Sequence, residues 1–180
     1  MFEKSDEHLI QKALKGNKKA WFTLIKRYES SVYHYGVRMT GNAHDAADLM
    51  QDIFMSVFRS LENFRAEGSF KSWLFRVAHY RCIEFYRRWR PEQGLEDVPE
   101  PVSTAPCPEG EILSDHVSKA LTRAMQNLPL TQKAVIELKF FGQFTFDEIA
   151  QQMGLSPNTV KSRLYSALSK LKLDLEVENV

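Results

Sequence analysis

The sequence predicts an all-α fold: two small helical domains joined by an acidic, proline-rich linker, the second domain carrying a helix-turn-helix. Three observations predict it. Apolar residues recur at helical spacing in both halves of the chain, and no segment alternates with period two for long enough to make a strand. Five of the seven prolines crowd between Pro91 and Pro108, in PEQGLEDVPEPVSTAPCPEGE. Near the C-terminal end, a glycine-containing turn separates two capped helical patterns. A length of 180 residues suits two such units, each burying a modest core. The expected division is a first domain over 1–90, a linker over 91–111 and a second domain over 112–180.

The elements follow in chain order. Ser5 can cap a first helix that runs to about Leu14, with Gly16 ending it. Asn17 can cap a second, KKAWFTLIKRYESSVYHYGVRM, in which Trp21, Leu24, Ile25, Tyr28 and Val32 keep helical spacing. Gly41-Asn42 breaks it. A third helix is expected from Ala43 to Asn63, with Leu49, Met50, Ile53, Phe54, Val57 and Leu61 on its apolar face. The loop RAEGS leads to a fourth, from Phe70 to Trp89, in which Phe70, Leu74, Val77 and Ile83 are core candidates. Beyond the linker, helices are expected over Ile112–Asn127, Leu130–Phe141, Phe146–Met153 and Pro157–Leu173.

The linker has too few apolar side chains for a core of its own and reads as a solvated spacer. Net charge is only +1, but its distribution is uneven. Residues 71–90 hold six bases and one acid, Glu84, whereas residues 91–115 hold seven acids and no base. Cys82 and Cys107 form no redox or ligand spacing, which suits a reducing compartment. No apolar run approaches the length of a membrane span and no signal-peptide core opens the chain, so a cytoplasmic protein without stable membrane insertion is expected.

Thr145-Phe-Asp-Glu148 has capping-box spacing, Gly154 suits a left-handed stop, and Ser156-Pro157 suits the start of the next helix. Two helices joined by so short a turn make a helix-turn-helix. Ile149, Ala150 and Leu155 can pack against Val160, Leu164 and Leu168. The opposite face of the last helix then presents Asn158, Lys161, Ser162, Tyr165 and Ser169, with Arg163 at its flank. Such a face suits a major groove: Lys reaches guanine acceptors or phosphates, Ser and Asn bond base edges, and Tyr meets a thymine methyl.

A second surface lies in FRAEGSFKSWLFRVAHYRCIEFYRRWR, residues 64–90. Bases that follow phosphates, interleaved with aromatic rings that stack on unpaired bases, favour single strands. Trp73, Val77 and Tyr80 fall on one stripe, and Lys71, Arg76, Arg81, Arg87 and Arg88 extend from others. In the third helix, Asp45, Asp48 and Asp52 share a polar face with Gln51. A basic protein partner fits this face; Asp45 and Asp48 also suit the positive end of the helix. No nucleophile–base pair, His/Cys ligand set or glycine-rich phosphate loop accompanies them, so no catalytic residue, metal or cofactor is expected.

These blocks resemble the extracytoplasmic-function sigma factors, two-domain members of the sigma-70 family. AHDAADLMQDIFMSVFRSLENFRAEGSFKSWLFRVAHYRCIEFYRRWR is similar to the family's region 2, and LTRAMQNLPLTQKAVIELKFFGQFTFDEIAQQMGLSPNTVKSRLYSALSKLK to its region 4. The resemblance implies that the third helix, through Asp45, Asp48, Gln51 and Asp52, docks on core RNA polymerase, at the β′ coiled coil. It implies that the loop 64–69 and the fourth helix melt and capture the −10 element, with Phe64, Arg65, Ser69, Lys71, Trp73, Arg76 and Tyr80 as the contacts. By motif position Lys161, Ser162, Tyr165 and Ser166 match the −35 contacts, Asn158 joins them at the helix start, and Arg163 is a phosphate candidate. The partners implied are the β′ and β subunits, promoter DNA and an anti-sigma factor.

The chain departs from the family pattern in three places. Asp45-Ala46-Ala47-Asp48 lacks one carboxylate of the usual Asp-Ala-Glu-Asp. Lys133 stands where Arg is usual, and Ser166 and Ser169 replace bases. Ser56, four residues after Asp52, is expected on the same face, where a phosphate would more than replace the carboxylate absent at Ala47. The alternative function, a helix-turn-helix regulator acting without polymerase, explains residues 112–173 and leaves the aromatic-basic block at 64–90 without a role.

Overall fold

The computed structural model describes residues 5–89 and 115–178, and every element among them is helical. The first domain comprises α1 (Asp6–Leu14), α2 (Lys18–Thr40), α3 (Ala43–Ser60) and α4 (Phe70–Trp89). The second comprises α5 (Asp115–Gln126), α6 (Leu130–Ile136), α7 (Phe146–Met153) and α8 (Pro157–Glu178). The linker over 91–111, with Cys107, lies outside the described residues.

The caps form as the sequence predicts. Ser5 Oγ accepts from His8 N at 3.3 Å and Asn17 Oδ1 from Ala20 N at 3.0 Å. Gly41 closes α2 at φ +82°, and Asn42, read in the sequence only as part of the break, caps α3, its Oδ1 accepting from Asp45 N at 2.8 Å. Three boundaries differ from expectation. The last turn of the third helix tightens into a 3₁₀ turn over Leu61–Asn63, a common way to end a helix. The helix expected over 130–141 is α-helical only to Ile136 and widens to a π-turn over Glu137–Phe141, where Gly142 N donates to Glu137 O at 2.8 Å. α5 is described from Asp115, and residues 112–114 lie outside the described residues. α8 runs five residues past Leu173, because Leu171 and Leu175 still meet the core.

α2 is the spine of the first domain, packed by α1 on one side and α3 on the other, with α4 against α3. Leu24, Val32, Tyr35 and Met39 of α2 are buried against Leu49, Ile53 and Val57 of α3 and Leu74, Ala78 and Cys82 of α4. Each such aliphatic side chain contributes about 1.5–3 kcal/mol by leaving water. In α4 the core face is Phe70, Leu74, Phe75, Ala78, Cys82 and Phe85; Val77 and Ile83, expected in the core, are half-buried at its edges. Polar contacts fasten α1, where Asp6 accepts from Arg27 and from the Tyr28 hydroxyl, each at 2.5 Å. In the second domain α5, α6 and α7 pack around α8.

The two domains meet at the carbonyl end of α2. The last carbonyls of a helix lack partners within it, and here side chains of the second domain supply them. Gln126 Nε2 donates to Arg38 O at 2.9 Å, and Lys133 Nζ donates to Met39 O at 3.3 Å and to Gln126 Oε1 at 2.8 Å. The Tyr86 hydroxyl of α4 also donates to Met39 O. Lys133 is 2 % exposed, and its ammonium stands at the negative end of the α2 dipole. Beside it Arg38 pairs with Glu137 through both guanidinium and carboxylate forks and lies 3.7 Å over the centre of the Phe141 ring. Burial pushes the Glu137 carboxyl up, and Arg38 opposes that shift.

Burial pushes the Cys82 thiol up to about 12. The thiolate is the reactive form, so Cys82 should resist iodoacetamide at pH 8 in the native protein by at least about 100-fold relative to a free thiol. Peptide mass spectrometry across a urea series is expected to show modification of Cys82 only as the first domain unfolds.

Candidate nucleic-acid interface

The turn between α7 and α8 is built as its residues require. Thr145 Oγ1 accepts from Glu148 N at 3.2 Å, and Glu148 Oε2 accepts from Thr145 N at 2.7 Å, completing a capping box. Gly154 takes φ +67°, and Leu155 N returns to Ala150 O at 2.9 Å. Ser156 Oγ then accepts from Thr159 N at 3.1 Å to start α8. Val160, Leu164, Ala167 and Leu171 turn inward toward buried Ile149 and Ala150.

The outer face of α8 carries Asn158, Lys161, Ser162, Tyr165, Ser166 and Ser169, all exposed, and Tyr165 is 64 % exposed. A large aromatic ring so exposed on a helix packed on its other side is available to a partner. Arg163 is half-buried at the flank, and Ser166 Oγ lies 3.3 Å from Gln132 Nε2. Sequence reasoning missed Lys139. Its ammonium sits 4.5 Å from the centre of the Phe146 ring, and Lys161 reaches the same ring at 5.4 Å. The π-turn brings Lys139 there, and no period in the sequence announces it.

In α4 the helical phase collects Trp73, Arg76, Tyr80 and Arg87 on one outward stripe, with Arg76, Tyr80 and Arg87 exposed. Lys71 falls about 140° around the helix from Arg76 and does not join them. Trp73 is anchored in an aromatic cluster, with ring centres 5.5 Å from Phe64 and 5.8 Å from Phe70. Phe64 is therefore half packing residue, while Arg65 is exposed in the loop. Ala66 takes φ +54°, a conformation unfavourable for a residue with a Cβ. Ser69 is the cap of α4: its Oγ accepts from Ser72 N at 3.1 Å.

On α3, Asp48 and Gln51 are exposed and Asp52 is half-exposed. Asp45 is partly committed elsewhere, since its Oδ2 accepts from Asn42 Nδ2 at 2.7 Å within the cap. Asp52 accepts from Arg88 of α4 at 3.0 Å, and Asp48 lies 3.7 Å from His44. Met55 and Phe58 continue this face by one turn and are 45 % and 58 % exposed. Ser56 does not belong to it. At 8 % exposure it points inward beside Val57, because four residues after Asp52 the helix has turned a further 40° toward the core. The expectation of a surface serine open to phosphorylation is thereby overturned.

Two family models match in the order in which these faces occur: Sigma-70 region 2 over residues 24–91 and Sigma-70, region 4 over residues 118–171. The chain belongs to the sigma-70 family, in its extracytoplasmic-function branch. It is 26% identical over 176 residues to the ECF RNA polymerase sigma factor SigW of Bacillus subtilis, covering 92% of this chain and 94% of that one. It is 28% identical over 173 residues to the ECF RNA polymerase sigma-E factor of Haemophilus influenzae, covering 91% of each. Among solved structures, the sigma factor RpoE in complex with the anti-sigma factor NepR from Bartonella quintana superposes with a TM-score of 0.67 at 22% identity, over 88% of this chain and 98% of that one. Among the described residues no helix is long and apolar enough to cross a membrane.

The Asp52–Arg88 pair joins α3 to α4 in plain view of solvent, with 46% and 59% of the two side chains exposed. Such pairs contribute little. Arg88→Ala should therefore change unfolding stability by less than about 1 kcal/mol in urea titration.

Proposed function

We propose that this chain is an alternative sigma factor that directs core RNA polymerase to specific promoters and initiates transcription. The observation that supports this most is the presence, on one chain, of three separate outward surfaces in family order. They are the acidic face of α3, the aromatic-basic stripe of α4 and the polar outer face of α8. A helix-turn-helix regulator acting alone would use only the last.

In this reading residues 1–90 form the polymerase-binding and −10 domain, residues 91–111 the linker, and residues 112–180 the −35 domain. α3 offers Asp48, Gln51 and Asp52, with Asp45 at its edge, to basic groups of the β′ subunit. Opposite charge steers the encounter, and the exposed apolar neighbours Met55 and Phe58 add contact area. Arg65, Arg76 and Tyr80 engage the −10 strand, the guanidinium groups on phosphates and the phenol ring on an unpaired base. Trp73, wedged between Phe64 and Phe70, positions the loop that carries Arg65. Lys71 contributes charge from a different face, and Ser69 acts by starting α4. Asn158, Lys161, Ser162, Tyr165 and Ser166 read the −35 element, and Arg163 holds a phosphate. An anti-sigma factor, as in the complex with NepR, is the expected inhibitor, and the protein works in the cytoplasm. Reconstitution with core polymerase and sequencing of transcript starts tests the whole reading; specific starts absent from core enzyme alone are the expected result.

Four variants test its parts. Asp48→Lys combined with Asp52→Lys should abolish co-purification with core enzyme at unchanged helical content by circular dichroism. Arg76→Ala should bind polymerase normally and lose permanganate reactivity at the −10 element, and it is a cleaner probe than Ser69→Ala, which removes a helix cap worth about 1 kcal/mol. Lys161→Ala should cost about 1–3 kcal/mol at one −35 position only, while Arg163→Ala weakens all sequences alike and lowers the salt slope by about one unit.

A further inference from the structure

The first helix has no part in the three surfaces above, yet its opening residue is tied to the framework of the −10 loop. Asp6 Oδ1 accepts from Arg27 Nη1 and Asp6 Oδ2 from the Tyr28 hydroxyl, so one carboxylate holds two neighbouring side chains of α2. The Tyr28 ring meets Phe70 edge-on, with ring centres 5.4 Å apart. Phe70, the first residue of α4, is 4 % exposed and meets Phe64 at 5.7 Å; Trp73 closes the group against both. α1 also packs on the 3₁₀ turn that delivers the chain to Phe64. Just beyond, Ala66 stands at φ +54°, a conformation that a residue with a Cβ keeps only where its surroundings impose it.

We propose that Asp6 is a positioning residue for promoter melting: through Tyr28 it sets Phe70, and with it the Phe64–Trp73 frame that aims Arg65 and the stripe of α4 at the −10 strand. This role rests on the sigma-factor reading above. A carboxylate needed only to fasten α1 could rely on Arg27 alone; the second bond, to Tyr28, is the one that reaches the −10 frame. That bond is charge-assisted, and so stronger than one between neutral groups. Burial and the Asp6 carboxylate both push the Tyr28 phenol up, so it remains a donor across the neutral range. The ring contacts that follow are edge-on or tilted, and in a close-packed interior a tethered ring fixes the rotamers of its neighbours. Packed side chains pass on a displacement while they stay contiguous, and the contacts from Asp6 to Trp73 run without a gap. The relay ends on Trp73 itself and on Phe64, the neighbour of Arg65 in sequence.

Fluorine NMR of the fluorotryptophan-labelled chain and promoter opening with core polymerase test this together. The Trp73 resonance is assigned by its loss in Trp73→Phe. Tyr28→Phe, which keeps the ring and removes its bond to Asp6, should shift that resonance in the free protein and leave Trp89, at the far end of α4, unmoved. With core enzyme it should slow permanganate-detected opening at the −10 element by about 2- to 30-fold, the range for a residue acting through packed neighbours, at unchanged affinity for polymerase. Asp6→Ala should do the same, and Asp6→Asn, which keeps an acceptor for the phenol, should recover most of both readouts. Ile10→Val is the control: it trims a buried contact of α1 away from the clamp and should leave Trp73 and opening as in wild type. An unmoved Trp73 resonance in Tyr28→Phe, or equal effects from Ile10→Val, would overturn the relay. A shifted resonance with opening at the wild-type rate would overturn its link to melting. If the resonance shifts as expected and the wild type opens no promoter with core enzyme, the relay stands and the sigma-factor reading fails.

Discussion

A helix has to end, and the way α2 ends governs the arrangement of this chain. Two of its final carbonyls, those of Arg38 and Met39, face side chains between the two domains. Leaving such groups without donors would cost on the order of 1–3 kcal/mol each. Gln126, Lys133 and Tyr86 meet that need from three different helices. The requirement also explains Gly41: a Cβ there would stand 2.8 Å from the Gln126 side chain, in a backbone conformation that disfavours any residue with one. The turn into α3, the orientation of α4 and the seating of the second domain thus converge on one helix terminus.

The buried lysine illustrates what a charge needs in order to sit inside. An ammonium taken out of water is costly unless it is fully bonded. Lys133 is bonded to a carbonyl, an amide oxygen and the Tyr86 hydroxyl at 3.4 Å, all at the negative end of a long helix. That set satisfies the ammonium where the two domains touch. The three outward surfaces, by contrast, are built on helices whose other sides are packed into a buried cluster that runs through both domains.

The helices, their caps and the helix-turn-helix were legible in the sequence because they depend on neighbours within a turn or two. Ser5, Asn17, Thr145 and Ser156 each announce a helix start that side-chain hydrogen bonding then makes. The outer face of α8 was legible for the same reason, since its spacing and its polar residues coincide. Helical phase was less reliable where the apolar arc is wide. Ser56 and the pair Val77 and Ile83 lie near its edges, and a small error in its centre reverses inside and outside. The contacts of Lys133, Glu137 and Lys139 were not legible at all. Arg38 and Glu137 are 99 residues apart, and nothing local marks a charged residue as buried when its partner belongs to another domain.

The π-turn at Glu137–Phe141 carries one residue more than an α-helix of the same rise would hold. That extra residue rotates everything after it by about a quarter of a circle, and so decides that Phe141 lies under Arg38 and that Lys139 leans over Phe146. Among natural variants of this domain, a deletion of one residue in this turn would be a single evolutionary step with two outcomes. It would detach the ring from the interdomain ion pair and withdraw a positive charge from beside the recognition helix. The history of the interdomain ion pair and that of the charge beside the last helix should therefore be written in the same short segment, inherited or lost together.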